Sequence, residues 1–383
     1  MDKMIKRQSN YELLRIFAMF LIVLHHFANH GVMQCYKGPD YSTLWLSGSQ
    51  LNQFFSYLFF PGGEVGVALF FMISGYFLIK SDSIKLKKVV LQTFFYSWLS
   101  VFVFLVVHFC CERYFHFENP YVFIDLEKVK LETIYGLLAP LRSGQYWFVS
   151  AYIVLILAKP LYNIFLNKLS KKGYIGFLLV LWLFGLVFAR NYVLGLGYTQ
   201  AFFYYAIGGY LKMHSTDSQI KYGGWAKFLI VLSTLVMWFL YAILRYGNMA
   251  KMITGPFNKL SFLFCSCCLV VLISICIFKF FAHLNIGCHK WVNEIGATTF
   301  GIYLLHEGVF IRPIIWDKIF GVYPYLYQQP LFPLLALLVA VAVFSCCSLI
   351  EYCRNALFVP VDKKIDVFLE KLKEKFFIRE ENA

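Results

Sequence analysis

Arg15 and His26 lie eleven residues apart inside one apolar segment, Leu13 through Phe27. One is a permanent cation whose planar fork matches carboxylates and phosphates. The other is a base that titrates near neutrality and can take a proton from a hydroxyl. At about 100° per residue, eleven residues turn a helix by about 1100°, three turns and a remainder of about 20°. Both side chains therefore share a face, about 16 Å apart along the axis. Charged and titratable groups inside a membrane helix cost a few kcal/mol and face a bundle interior or a wet cavity, so the pair reads first as a functional site. The plainer alternatives are a snorkelling anchor at Arg15 and a hydrogen-bonded packing residue at His26. His25 points about 100° away, so the two histidines are not expected to serve one cavity. Glu12, three residues before Arg15, is its expected partner.

These residues need a membrane bundle to hold them. Of 383 residues, 60% are hydrophobic, 20% aromatic and only 15% charged, against about 25% charged in soluble domains. The net charge of +14 comes from Lys and Arg clustered in short segments between apolar runs. That is a topology signal facing anionic lipid and excludes nucleic acid as the expected partner. Lys3, Lys6 and Arg7 before an apolar run imitate a signal peptide, but no small-x-small site follows and the first helix is expected to be retained. Eleven cysteines include Cys265 and Cys268 at C-x-x-C spacing; without a second pair at zinc spacing they read as small packing residues, and no metal is expected.

A span needs about 20 apolar residues. The sequence predicts ten: 11–29, 54–79, 89–111, 146–165, 174–189, 198–211, 225–244, 258–278, 296–314 and 331–350. With the N-terminus inside, basic residues favour the inner segments by roughly two to one, which predicts both termini cytoplasmic. The expected organisation is an all-α, polytopic transmembrane bundle over 1–350 and a cytoplasmic basic tail over 351–383. In the tail, Val361, Ile365, Phe368, Leu369, Leu372 and Phe376 form one helical stripe among lysines. That suits an amphipathic helix on the inner leaflet, the alternative being a solvated tail. The outer segments 112–145 and 323–329 mix aromatics with hydrogen-bonding groups, as a sugar site or an interfacial aromatic belt would. No appended catalytic domain is expected, so the chemistry belongs to the bundle and its loops.

Four stretches, in order, resemble integral-membrane acyltransferase family 3. Asn10-Tyr11-Glu12-Leu13-Leu14-Arg15-Ile16, closing on Leu24-His25-His26-Phe27, is similar to the family's first helix, a basic residue and a His with ten positions between them. Arg15 and His26 fit that spacing and His25 does not. Gly66 through Leu78 resembles the second-helix signature, Tyr146 through Tyr152 the opening of a later helix, and Thr299 through His306 a late segment ending in His. The resemblance implies transfer of an acyl group, usually acetyl from acetyl-CoA, to a sugar hydroxyl of a surface glycan, with His26 as catalytic base. The chain departs from the family after the second helix, where many members carry paired arginines and this one carries Lys85, Lys87 and Lys88.

Placed in that frame, Arg15 lies toward the cytoplasmic side and would orient the donor, and His26 lies deeper, where an exported or lipid-linked glycan would meet it. Lys85, Lys87 and Lys88 would attract CoA phosphates as point charges, or serve as topology signals alone. Glu64 would orient His26 or bind the acceptor, unless it is a surface carboxylate. Ser74 reads as a packing residue before a nucleophile. His306, with Glu307 beside it, is either functional or interfacial. Trp147 would stack on a sugar or sit in the aromatic belt. The expected partners are acyl-CoA, a carbohydrate acceptor and membrane lipid, with no bound cofactor, in a multi-pass protein of the cell (inner) membrane. The rival reading is a carrier or flippase for a glycan or small amphiphile, although no internal repeat of the kind carriers show is visible. A non-catalytic member of a glycan-assembly complex is a third.

Overall fold

A computed structural model describes residues 8–33, 44–110, 126–141, 146–188, 193–214, 223–322 and 324–381. Side chains in 126–129 and beyond 358 lie outside the description, as do Lys3, Lys6, Arg7 and the acidic and aromatic residues of 112–125. Among the described residues there is no strand.

Helix α1 spans Ser9–His26 and runs on through a π-helical turn, Phe27–Met33. Next come α2 (Gln50–Phe59), capped by the Ser49 side chain, and α3 (Pro61–Leu78). Pro61 opens α3 at its first position, where proline costs no helical hydrogen bond. The chain continues through α4 (Lys87–Cys110), α5 (Leu126–Leu138), α6 (Trp147–Lys168) and α7 (Lys171–Val180), the last extended as a π-helix to Phe188. Then follow α8 (Val193–His214), α9 (Gly224–Met249), α10 (Pro256–Leu263) with a π-helical link, Phe264–Leu269, into α11 (Val270–Ala282), and α12 (Lys290–His306). A short α13 (Pro324–Tyr327) precedes α14, one helix from Phe332 to Glu381. The predicted helical tail is thus the continuation of the last membrane helix.

Seven segments among the described residues are long and apolar enough to cross a membrane: Ser9–Met33, Gln50–Leu78, Lys87–Cys110, Trp147–Lys168, Gly224–Met249, Pro256–Ala282 and Phe332–Phe358. The other three predicted spans fall on α7 with its extension, on α8 and on α12. The last two are polar for a reason: α8 and α12 are packed on several sides by other helices, so Tyr204, Tyr205, Thr298, Thr299 and His306 meet protein and not lipid. Large apolar side chains of α4, α9 and α14 such as Phe102, Leu105, Leu229, Val236, Leu334 and Leu338 are exposed instead. A surface this apolar is stable only against acyl chains.

Contacts between helices fix their relative directions. Tyr11 packs on Tyr76 and the His25 ring on Gly63, so α1 and α3 are antiparallel. Glu12 lies by Gly296 and His26 by Glu307, so α12 is parallel to α1. Similar contacts orient α4 (Gln92 near Glu351), α7 (Tyr174 to Ala206, Thr199 to Gly185) and α9 (Trp238 to Leu58, Arg245 on Phe60) along α1. The helices α6, α8, α11 and α14 run with α3 (Trp147 at Gly197, Tyr205 on Asn163, Ser266 on Glu64, Phe332 on Phe27). Among the described helices, those on the ten predicted spans alternate in direction from one span to the next.

Close approach at the centre depends on glycine. A Cβ on Gly66 would lie 2.6 Å from the Ala18 carbonyl, and one on Gly75 would overlap the Tyr205 carbonyl. Small residues let membrane helices pack backbone to backbone, which seats α3 between α1 and α8.

Candidate active site

The face shared by Arg15 and His26 opens on one cavity of about 660 Å³. It is lined along α1 by Arg15, Met19, Ile22, His25 and His26, so it runs the full eleven residues, about 16 Å. The antiparallel α3 contributes Ser74 at the Arg15 end and Glu64 at the His26 end. Lys85, Lys88 and Gln92 join Arg15, while Trp147, Gln200, Tyr303 and Glu307 join His26 or the wall between. The lysines and arginine among the lining residues, Arg15, Lys85 and Lys88, thus gather at one end, and the carboxylates Glu64 and Glu307 at the other.

At the His26 end, three elements meet. His26 Nδ1 lies 2.8 Å from His306 Nε2 and 3.2 Å from Glu307 Oε1. His30, one turn on from His26 in the π-helical extension, places Nε2 3.4 Å from the same carboxylate oxygen. Arg312 reaches Glu307 Oε2 at 3.5 Å. His306 Nδ1 sits 2.5 Å from the Ile302 carbonyl, its own helix one turn back, and a carbonyl only accepts. Nδ1 of His306 therefore carries a proton, and in its neutral form His306 offers its Nε2 lone pair. The hydrogen-bond pattern then assigns the Nδ1 proton of His26 to that bond, leaving His26 Nε2 with a free lone pair. His306 and Glu307 are buried, while His26 keeps an edge on the cavity. A base fixed by one partner and faced by a carboxylate that stabilises its protonated form is the arrangement general-base catalysis requires.

The other end is simpler. Arg15 donates to Glu12 Oε1 at 2.6 Å, the predicted pairing, with Glu12 buried and the guanidinium partly exposed to the cavity. Ser74 donates to its own helix at the Phe70 carbonyl (2.9 Å), as a packing serine does. Glu64 accepts from Ser266 through Oε1 at 3.2 Å, while its buried Oε2 has no hydrogen-bond partner among the described residues. Trp147 lines the cavity with 40% of its surface exposed.

Of the predicted site residues, Arg15, His26, Glu64, Ser74, Lys85, Lys88 and Trp147 line the cavity; Glu12 and His306 stand behind it as partners, and Lys87 is not among its lining residues. One expectation is corrected: His25 lines the same cavity as His26. Its Nδ1 donates to the Phe60 carbonyl at 2.7 Å, so it faces the wall made by α3 and does not join Glu307. Sequence reading passed over His30, Arg312, Gln200, Tyr303 and Gln92. His30 carried a signal, being one helical turn beyond His26; the others are brought in by packing between distant segments. The ligand atoms of His26, His306 and Glu307 lie within 4.8 Å of one another, a set that could hold a metal ion.

No curated protein and no solved structure matched the chain. A family model described as an acyltransferase domain matches residues 8–352, which takes in every residue of the cavity, and the chain belongs to acyltransferase family 3.

Proposed function

We propose that this membrane acyltransferase moves an acyl group, acetyl by default, from acyl-CoA to a hydroxyl of a cell-envelope or exported polysaccharide. The observation that carries the reading is the single cavity with cations at one end and the His26–Glu307 pair at the other. The phosphates of CoA suit Arg15, Lys85 and Lys88, and the pantetheine arm is long enough to bring the thioester toward His26. Ten spans with both termini in the cytoplasm put the cationic end where CoA is made, in keeping with the alternating helix directions and the basic bias of the inner segments.

The reaction balances as follows. The acceptor hydroxyl oxygen attacks the thioester carbonyl carbon while His26 Nε2 takes its proton. Glu307 stabilises the imidazolium that forms, and His306 holds the ring in place through Nδ1. The tetrahedral intermediate collapses, the carbon–sulfur bond breaks, and the imidazolium returns its proton to the CoA sulfur. Glu64 and Trp147 flank the acceptor, the first with an unpartnered carboxylate oxygen for a hydroxyl, the second with an aromatic face.

The test is the acyl content of the host's surface glycan, by proton NMR, in cells making wild type, His26→Ala or His25→Ala at matched levels. Loss of O-acyl signals with His26→Ala alone supports the proposal. Equal acylation in all three, with altered amounts of exported glycan, would establish a carrier instead.

A further inference from the structure

Helix α6 carries Lys159, Asn163 and Asn167 at i, i+4 and i+8, one stripe on a helix in which polar residues are costly. All three donate to backbone carbonyls around the turn that leaves α3 for α4. Lys159 Nζ reaches the Ser83 carbonyl at 2.7 Å. Asn163 Nδ2 reaches those of Leu78 (2.8 Å) and Ser81 (3.2 Å), and Asn167 Nδ2 that of Ile79 (2.9 Å). Asn163 is itself held, its Oδ1 accepting from the Tyr205 hydroxyl on α8 at 2.9 Å. Lys159 and Asn163 are buried, whereas Asp82, Ser83, Ile84 and Lys85 are exposed. An exposed turn is thereby fixed from beneath by a stripe whose first two residues are buried and none of which lines the cavity.

That turn delivers Lys85 to the cavity, and Lys88 follows as the second residue of α4. An ammonium on a four-carbon stem has no fork to align itself on a phosphate, so its grip depends on where the backbone puts it. Ordering a free segment costs conformational entropy, a cost the stripe removes before any ligand arrives. We infer that Lys159, Asn163 and Asn167 are positioning residues that fix the α3–α4 turn so that Lys85 and Lys88 read the 3′-phosphate of a CoA-type donor. The inference rests on the acyl-CoA reading above.

The test uses the full chain in lipid nanodiscs and the dissociation constants of CoA and of 3′-dephospho-CoA. Wild type should prefer CoA by about tenfold, the worth of one charge-assisted contact. Asn163→Leu and Lys159→Met should each weaken CoA about fivefold to tenfold and leave 3′-dephospho-CoA within twofold, so the preference collapses toward one. Lys159→Arg, which keeps a donor, should restore it. Lys88→Ala added to Asn163→Leu should cost less than Lys88→Ala alone, because the two act on one contact. Should Asn163→Leu fail to fold, Asn167→Leu, at the exposed end of the stripe, carries the same prediction. Equal weakening of both ligands, or unchanged preference in all variants, would overturn the inference and leave the acyl-CoA reading standing. Wild type that binds neither ligand would overturn both.

Discussion

Glu307→Gln removes one charge from the site and almost nothing else, since glutamine keeps the shape and one acceptor oxygen. In the wild type, Oε1 lies 3.2 Å from His26 Nδ1. Two unit charges at that distance attract by about 5 kcal/mol at an effective dielectric near 20. Arg312 and His30 share the carboxylate, and only part of a charge has formed on His26 at the transition state, so about half is a fair expectation, ~2–4 kcal/mol. That is about 30- to 1000-fold in kcat. The assay is transfer of label from radiolabelled acetyl-CoA to glycan in membrane vesicles of the host, with kcat and KM taken from the donor dependence. KM for acetyl-CoA should stay within twofold, because Glu307 and the cations Arg15, Lys85 and Lys88 sit at opposite ends of the cavity. A loss in kcat below about threefold, or a rise in KM at constant kcat, would refute Glu307 as the group that stabilises protonated His26.

Three further outcomes are expected. Arg15→Ala should raise KM for acetyl-CoA about tenfold or more with kcat within threefold, and isothermal titration showing unchanged acetyl-CoA affinity would end its role at the donor. Gly75→Leu should lower the melting temperature in detergent by several degrees, since its side chain has to displace the Tyr205 carbonyl, an overpacking cost of at least ~1–3 kcal/mol. Glu351, fully buried, accepts from both Arg354 nitrogens at 2.8 Å, from Tyr96 at 2.6 Å and from Gln92 at 2.9 Å. Glu351→Leu should cost about 3–5 kcal/mol and the double change with Arg354→Leu distinctly less; equal melting temperatures for the two would show that the pair carries no such penalty.

The part of the site built on helical periodicity was legible in the sequence. Arg15, Met19, Ile22 and His26 fall within a narrow arc of α1, and all four line the cavity. His25 stands outside that arc and lines it too, because Phe60 and Gly63 at the α2–α3 junction, against which it packs, are also part of the cavity wall. The link from His26 to Glu307 joins segments 281 positions apart and is set by the parallel packing of α12 on α1, which no local pattern encodes. The same holds for Gln200 and for the stripe on α6. Lys159 and Asn163 sit in a run that reads as an ordinary span, with Asn167 just beyond it, and their meaning depends on a turn eighty residues earlier. Polarity also misleads in one direction: α8, long enough at 22 residues, is not apolar enough to count as a spanning helix because its polar residues pack inward, and α12, with an inward polar face as well, has only 17 residues.

The distribution of charge argues for a division of labour that a transporter would not need. A carrier site binds one substrate and must release it on the other side, which favours a single set of contacts near the midplane. Here the cavity keeps its cations and its carboxylates at opposite ends of an eleven-residue stretch of α1, about 16 Å, and each set has its own largely buried support: Glu12 and the α6 stripe at one end, His306, His30 and Arg312 at the other. Support of that kind costs stability, since every buried polar group in a membrane protein must find a partner. Two such sets facing one cavity are what the proposed reaction asks for, with an anionic donor and a hydroxylic acceptor held at once and His26 between them.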